Sequence, residues 1–425
     1  MNDLIEVSID KIVAGGSGLG RHDGRVVFVP LAAPGDRLLV EVVDRRRDFW
    51  RGEVREILEA SPDRRAPPCP YYASCGGCAL MHLAPEAQAR VKRDIVLESL
   101  KRGAHLDLAG RDVVVHTGPE LRYRNRSRFH VTARGGRVVA GFHARASHRV
   151  VDVEHCLLSS ESGNRVLTAL RAWLGSHPER AKEIDEVEIW EESGGAVLHF
   201  LVSRDGGARL EETLGLDGVS GVVVTARGTE RASYGKRHVT WDVRGTALAA
   251  GVGTFFQVNR FLVETLVDEV VGRGDGGTLA WDRALDLFCG VGLFTLPLGA
   301  RAREVVGVES QPDSLRDARE NARRAGVWNA SFVEETAEAY VRHEPMSRFD
   351  VVVMDPPRGG LDPEVISALI AAPPPAIRYV SCDPPALARD LGFLVRSGFT
   401  LTRLAVLDFF PNTHHVEAVA TLSRI

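Results

Sequence analysis

From residue 284 onward the sequence alternates short apolar runs with stretches of helical periodicity, and few folds accept that rhythm. The runs are ALDLF, REVVGVE, ASFVEE, FDVVVMD and AIRYVS. Between them lie helical stretches starting near 293, over 311–325 with Gly326 as a stop, after Asp362, and across 386–397. Apolar strands separated by helices predict a parallel sheet covered on both faces, and FTLTRLAVLDFF and HHVEAVATLS predict an antiparallel pair that closes it. The rhythm upstream differs. Residues 1–60 alternate Val and Ile around turns at Asp23-Gly24 and Pro34-Gly35-Asp36, the pattern of a small OB-like β-barrel. SPDRRAPP, 61–68, reads as a linker, 84–102 as a helix, and 120–250 as β-rich with one helix near 161–174. The chain is thus expected to be a multidomain α/β protein: a β-barrel over 1–60, a central α+β unit over 61–254 and a Rossmann-like unit over 255–425.

At 425 residues the chain is too long for one hydrophobic core. Its formal charge of -4 offers no global basic field, so any contact with nucleic acid has to be local. Two local features qualify. Arg45, Arg46, Arg47 and Arg51 surround Phe49 and Trp50, a mixture that holds phosphates and stacks bases. Arg122, Arg124, Arg126 and Arg128 alternate, so in a strand they would share one face and seek an anionic partner. No leader or long apolar run is apparent, which predicts a cytoplasmic protein without membrane contact. In that reducing compartment the six cysteines are more readily metal ligands or nucleophiles than disulfides.

DLFCGVGLFTLPL, 286–298, places a GxG turn between strand and helix, where backbone can approach a ligand closely. Glu309 ends the next strand, the position from which a carboxylate reaches the ribose hydroxyls of an adenosine. With GxGxxG absent, Asp286 and Asp355 fit a nucleoside with a cationic tail, such as S-adenosylmethionine; a dinucleotide is the second reading of this cleft. Cys69, Cys75 and Cys78 stand as C-x5-C-x2-C, with Cys156 far downstream, a four-sulfur set that suits Fe–S or zinc. Cys382 follows a strand and precedes Asp383-Pro384-Pro385, which forbids further pairing and starts a helix expected to lower the thiol pKa.

FFQVNR (255–260), DLFCGVGLFTL, VGVE, DPPRGGL, YVSCDPPALARDL and FPNTHHVEAVATL occur in an order and spacing that resemble the S-adenosylmethionine-dependent RNA 5-methyluridine methyltransferases. The resemblance spans nearly the whole chain, because the barrel is similar to the TRAM domain of the ribosomal-RNA members. It implies a class I methyltransferase domain over 255–425, Cys382 as nucleophile toward uracil C6 and Glu417 as the base that removes the C5 proton. It also implies S-adenosylmethionine contacts from Gln257, Phe288, Glu309 and Asp355, a base-stacking role for Phe255, and RNA contacts from Arg124 and Arg126. By the same resemblance Cys69, Cys75, Cys78 and Cys156 hold a [4Fe-4S] cluster. His414 and His415 become scaffold. Leu293, Thr336, Asn412 and Ala418 depart from common family choices, which puts cofactor contacts at the first two in doubt.

The resulting expectation is a monomeric enzyme acting on ribosomal RNA ahead of transfer RNA, where uridine 54 is the alternative target. A 5-methylcytidine enzyme, which also forms a cysteine adduct, is a rival. So is an RNA-binding chaperone in which catalysis is dispensable.

Overall fold

The computed structural model describes residues 3–134, 137–203, 209–272 and 279–424. Five strands, Leu4–Ile12, Gly18–His22, Arg25–Val29, Arg37–Arg45 and Phe49–Glu59, close into a barrel around Val7, Val27, Val29, Leu38 and Val40. Alternation along Leu4–Ile12 sends every second side chain inward, as a period of two requires. A second sheet of seven strands runs from Thr229–Gly235 through Val219–Ala226, Gly195–Val202, Ile184–Glu192, Arg126–Arg134 and Arg137–His143 to Val150–Asp152. The helix Glu161–Ser176 covers it with Val166, Leu167, Leu170 and Leu174, and Ser160 caps the helix by accepting from the Gly163 amide.

The carboxyl-terminal sheet has eight strands in the order Ala330–Glu334, Ala302–Glu309, Trp281–Leu287, Val351–Met354, Ala376–Ser381, Glu417–Arg424, Phe399–Leu407 and Val114–His116. Neighbouring residues feed opposite cores: Leu285 and Leu287 face one, Ala284 the other, and Val352 and Val353 divide likewise. That is why these strands read as continuous apolar runs. The chain winds outward in one direction from Trp281–Leu287 and in the other from Val351–Met354, so a switch point lies between these two strands. The helices start where the sequence predicts: Asp362 and Asp383 cap helices that open on Pro363 and Pro384, and Gly326, at φ +68°, ends Pro312–Ala325. Among the described residues no helix is long and apolar enough to cross a membrane.

Three expectations need correction. The central unit was to run over 61–254, yet its helix Pro85–Ser99 packs against Pro384–Arg396, and Val114–His116 pairs in parallel with Ala405–Leu407 of the carboxyl-terminal sheet. Helical and strand periodicity show which face is apolar, not which distant core will take it. The stretch 61–68 is not a free linker either. Arg64 clasps the buried Asp36 of the barrel at 2.7 and 2.8 Å, and Arg65 clasps Glu120. Finally, the arginine stripe is not one strand face. The strand begins only at Arg126, Arg122 is left-handed and pairs with Glu161, and Arg128 meets Glu186 and Glu188 across the ladder. Glu188 lies sixty residues away in sequence, out of sight of local pattern.

Helix Pro85–Ser99 is fastened by Lys92, a fully buried lysine on the same stripe as Val91, Ile95 and Val96. Its ammonium binds the Asp408 carboxylate and donates to the Phe410 carbonyl at 2.8 Å. Removing one partner strands the other charge away from water, so Lys92→Met should cost roughly 3–5 kcal/mol in chemical denaturation. Pairing it with Asp408→Asn should recover most of that loss.

Candidate active site

Strand register builds the site. Leu287 pairs with Val308 and Met354, and Met354 with Tyr379, so Phe288, Glu309 and Asp355 emerge side by side at the carboxyl edge of the sheet. Ser381 pairs with Ala418 in the antiparallel step, so the next residues, Cys382 and Glu417, stand opposite each other at adjoining strand ends. All five positions therefore ring the switch-point crevice, where open α/β sheets bind ligands.

The glycine loop is shaped for close approach. Gly292, at φ +94°, could carry no Cβ without meeting Leu296 at 2.5 Å, and Phe288 itself is held left-handed at φ +66°. Glu309 is tied back to this loop: its carboxylate accepts from the Gly290 amide at 3.1 Å and the Gln311 amide at 2.8 Å. Below it lies Asp286, fully buried, with one oxygen on Thr295 and the other without any partner. Burial, reinforced by Asp355 and Glu309, pushes Asp286 up to about 7. Asp355 is likewise pushed up to about 7 by burial, although Gln257 donates to it at 3.3 Å. Two desolvated acids, one with an orphaned oxygen, form a pocket that a cation would satisfy.

Glu417 is only 3% exposed, and burial, with Asp355 beside it, holds its carboxyl well above the usual range, as expected for an acid on an apolar strand. Cys382 departs from expectation. The helix start was to lower its pKa, but burial, followed by the charges of Glu417 and Asp355, pushes the thiol up to about 11, with Arg358 opposing. The helix end is already occupied, because Asp383 accepts from the Ala386 amide at 2.8 Å.

Across the crevice, Phe256 stacks on Trp241 at 4.3 Å, which turns its neighbour Phe255 outward, 62% exposed. Asn125 fixes the adjoining backbone by donating to the Gln257 carbonyl at 2.9 Å. Arg126 lies over Trp190 at 4.5 Å and donates to the Thr254 carbonyl, beside Phe255. Arg124 sits elsewhere: it lines a cavity of about 210 Å³ together with Cys69, Cys75, Cys78 and Cys156. The four half-buried thiols form no disulfide. Among the described residues no three ligating side chains converge as ligands of a single ion must, so these sulfurs ring a space rather than a point. The Gly77 amide donates to the Cys75 sulfur at 3.4 Å.

Sequence reasoning missed Thr295, Asn125 and the set around Asn412. A charged or amide residue on an otherwise apolar helical stripe, as Gln88 and Lys92 are, was the available signal.

Comparison with known proteins places the chain in a family. Residues 2–54 match the TRAM domain, and 252–425 match the family described as tRNA (Uracil-5-)-methyltransferase. Over 98% of both chains the sequence is 34% identical to an uncharacterized RNA methyltransferase of Aquifex aeolicus. It is 36% identical to the 23S rRNA (uracil(1939)-C(5))-methyltransferase of Alkalilimnicola ehrlichii, covering 99% of this chain and 96% of that one. A crystal structure of Pyrococcus abyssi tRNA (uracil-54, C5)-methyltransferase with S-adenosyl-L-homocysteine has the same fold: TM-score 0.76, 98% of this chain and all of the other, at 23% identity. These likenesses in sequence define a methyltransferase. The chain belongs to the family of S-adenosylmethionine-dependent RNA (uracil-C5)-methyltransferases.

The buried acids carry a pH signature. Between their ordinary value of 3.8 and about 7 the folded chain keeps protons on Asp286 and Asp355 that the unfolded chain has released. Stability therefore falls as pH rises through that window. Asp286→Asn should flatten the decline in melting temperature between about pH 4 and 7, since the amide has no proton to lose.

Proposed function

We propose that the protein methylates C5 of one uridine in 23S ribosomal RNA through a covalent bond between Cys382 and C6 of the ring. The observation that carries this reading is the register that sets Cys382 opposite Glu417 with Asp355 beside them. In this reading Cys382 adds to C6, the ring electrons pass onto C5 and O4, and C5 takes the methyl group from the sulfonium of S-adenosylmethionine, releasing S-adenosylhomocysteine. Glu417 then accepts the C5 proton, C5=C6 re-forms and the thiolate leaves. The raised pKa of Glu417 makes its carboxylate, once it has lost its own proton, a stronger base than an exposed glutamate. The thiol, by contrast, is poor in the free protein. A sulfonium seated beside Asp355 pulls its pKa down, so Cys382 is armed when the methyl donor is in place.

Glu309 is assigned to the ribose, Asp355 and Gln257 to the methionine end, and Phe288 to the wall of this class I site. Phe255, already solvent-facing and backed by Phe256 on Trp241, stacks on the target base once it leaves its helix. Arg126, beside it, grips the RNA. On the barrel, Arg45 and Arg25 lie over Trp50 at 4.6 and 5.4 Å and Arg51 over Phe49 at 5.4 Å, a cationic aromatic lip suited to the approaching strand. Ribosomal RNA is preferred on the full-length likeness to an enzyme named for that substrate. Transfer RNA at uridine 54 is the second reading, from the enzyme that shares the fold.

The four thiols fit a [4Fe-4S] cluster: they share one cavity, lie within a mainly buried wall and already receive an amide hydrogen bond. Burial keeps Cys69, Cys75 and Cys78 protonated in its absence, so binding the group would release protons. Arg124 would then offset the charge of the ligated sulfurs.

Cys382→Ala should abolish both turnover and the stable adduct with 5-fluorouridine RNA, read by denaturing gel. An adduct that persists would move the nucleophile to another cysteine. Glu417→Gln should form the adduct on ordinary uridine RNA and fail to release it. Cytidine transcripts should accept no methyl group, and loss of the gene should remove one 5-methyluridine from 23S ribosomal RNA. Iron analysis of anaerobically purified protein should find about four iron per chain, lost in Cys78→Ser.

A further inference from the structure

Glu417 is the first residue of its strand, and among the described residues its side chain accepts no hydrogen bond. Its position is therefore inherited from the backbone of the loop 408–416 that delivers it. That loop is held chiefly at Asn412, fully buried and left-handed at φ +67°. Every polar group of Asn412 is used. Its amide donates to Gln88 at 2.7 Å, its side-chain oxygen accepts from Gln88 at 3.1 Å and Arg65 at 3.2 Å, and its side-chain nitrogen donates to the Glu120 carbonyl at 2.8 Å. Its carbonyl accepts from the amides of Ala79 and Leu80, both at 2.9 Å.

We infer that Asn412 is a positioning residue for proton removal: by fixing the loop it sets Glu417 against C5 and governs resolution of the adduct rather than its formation. The inference rests on the reading of Cys382 and Glu417 given above. Two features argue for it. An L-residue at this φ is a strained choice that asparagine tolerates better than other side chains, and the arrangement persists because the surroundings over-determine it. The bonds also all fall on the loop before Glu417, whereas the turn after Cys382 is set by its own bond from the Ala386 amide to Asp383.

Asn412→Gly keeps the backbone conformation and deletes the three side-chain hydrogen bonds. Asn412→Asp keeps the acceptor for Gln88 and Arg65 and loses only the donor to Glu120. Turnover on uridine RNA in Asn412→Gly should fall roughly 10- to 100-fold, the scale on which small misplacements act. A denaturation-stable adduct should accumulate on that RNA. Adduct formation on 5-fluorouridine RNA, where C5 carries no proton to remove, should stay within about 2-fold of wild type, since the attack and methyl-transfer steps are untouched. Asn412→Asp should fall between the two. The inference is overturned if turnover is unchanged, if it falls with no adduct accumulating on uridine RNA, or if 5-fluorouridine adduct formation falls in step with it, which would mark a general effect on folding or RNA binding. Failure of the underlying reading looks different: wild-type protein would itself form no adduct with 5-fluorouridine RNA.

Discussion

Three carboxyl groups, the buried Asp286 and Glu417 and the partly buried Asp355, are gathered at one edge of the carboxyl-terminal sheet, and strand register keeps them there. An isolated ionised carboxylate in such surroundings is costly, and each of the three responds by holding its proton more tightly. The parallel sheet makes the arrangement tolerable, because strand register alone brings the groups together and leaves their charge to be settled by what enters the crevice. A cation entering there would favour release of those protons, from Glu417 as from the two aspartates. Ligand binding and acid–base poise are thus one electrostatic problem with one solution.

The non-catalytic parts of the chain bear on the same crevice. The barrel is fixed through Asp36 and Arg64, the stretch after it through Arg65 and Glu120, and helix Pro85–Ser99 through Lys92 and Gln88. Several of these fastenings end on the loop before Glu417. On its far side, the backbone of 122–125 runs between Leu157–Leu158 and Val258–Arg260, joining the segment that carries Cys156 to the one that carries Gln257. The surface around the exposed Phe255, the four-thiol cavity and the carboxyl edge of the sheet are thus joined by backbone hydrogen bonds.

Much of this was legible in the residues. Period-two and period-3.6 patterns marked the barrel, the sheet and four helices of the carboxyl-terminal unit, because those elements bury faces with simple repeats, but Val263–Val271 and Ala337–His343 were missed. Asp355 and Cys382 were legible as strand-end positions because proline turns follow them, whereas Glu417 was named only through the family resemblance. What the residues did not reveal is long-range pairing. Nothing near Arg128 announces Glu188, and nothing near Lys92 announces Asp408; each pair is joined only by folding. The thiol pKa failed for a related reason, since the burial and the carboxylates around Cys382 come from other strands, and they outweigh the local helix start.

The discontinuous make-up of the carboxyl-terminal unit bears on how the chain is born. Lys92 and Asp408 are separated by 316 positions, so the helix carrying the lysine leaves the ribosome long before its counter-ion exists. The barrel and the seven-stranded sheet own separate cores and can consolidate during elongation. The helix must wait with its apolar stripe unclaimed. The strand Glu417–Arg424 then inserts between two strands already synthesised, Ala376–Ser381 and Phe399–Leu407. A nascent chain stalled before residue 417 therefore holds a finished barrel and a sheet with a gap between two of its strands.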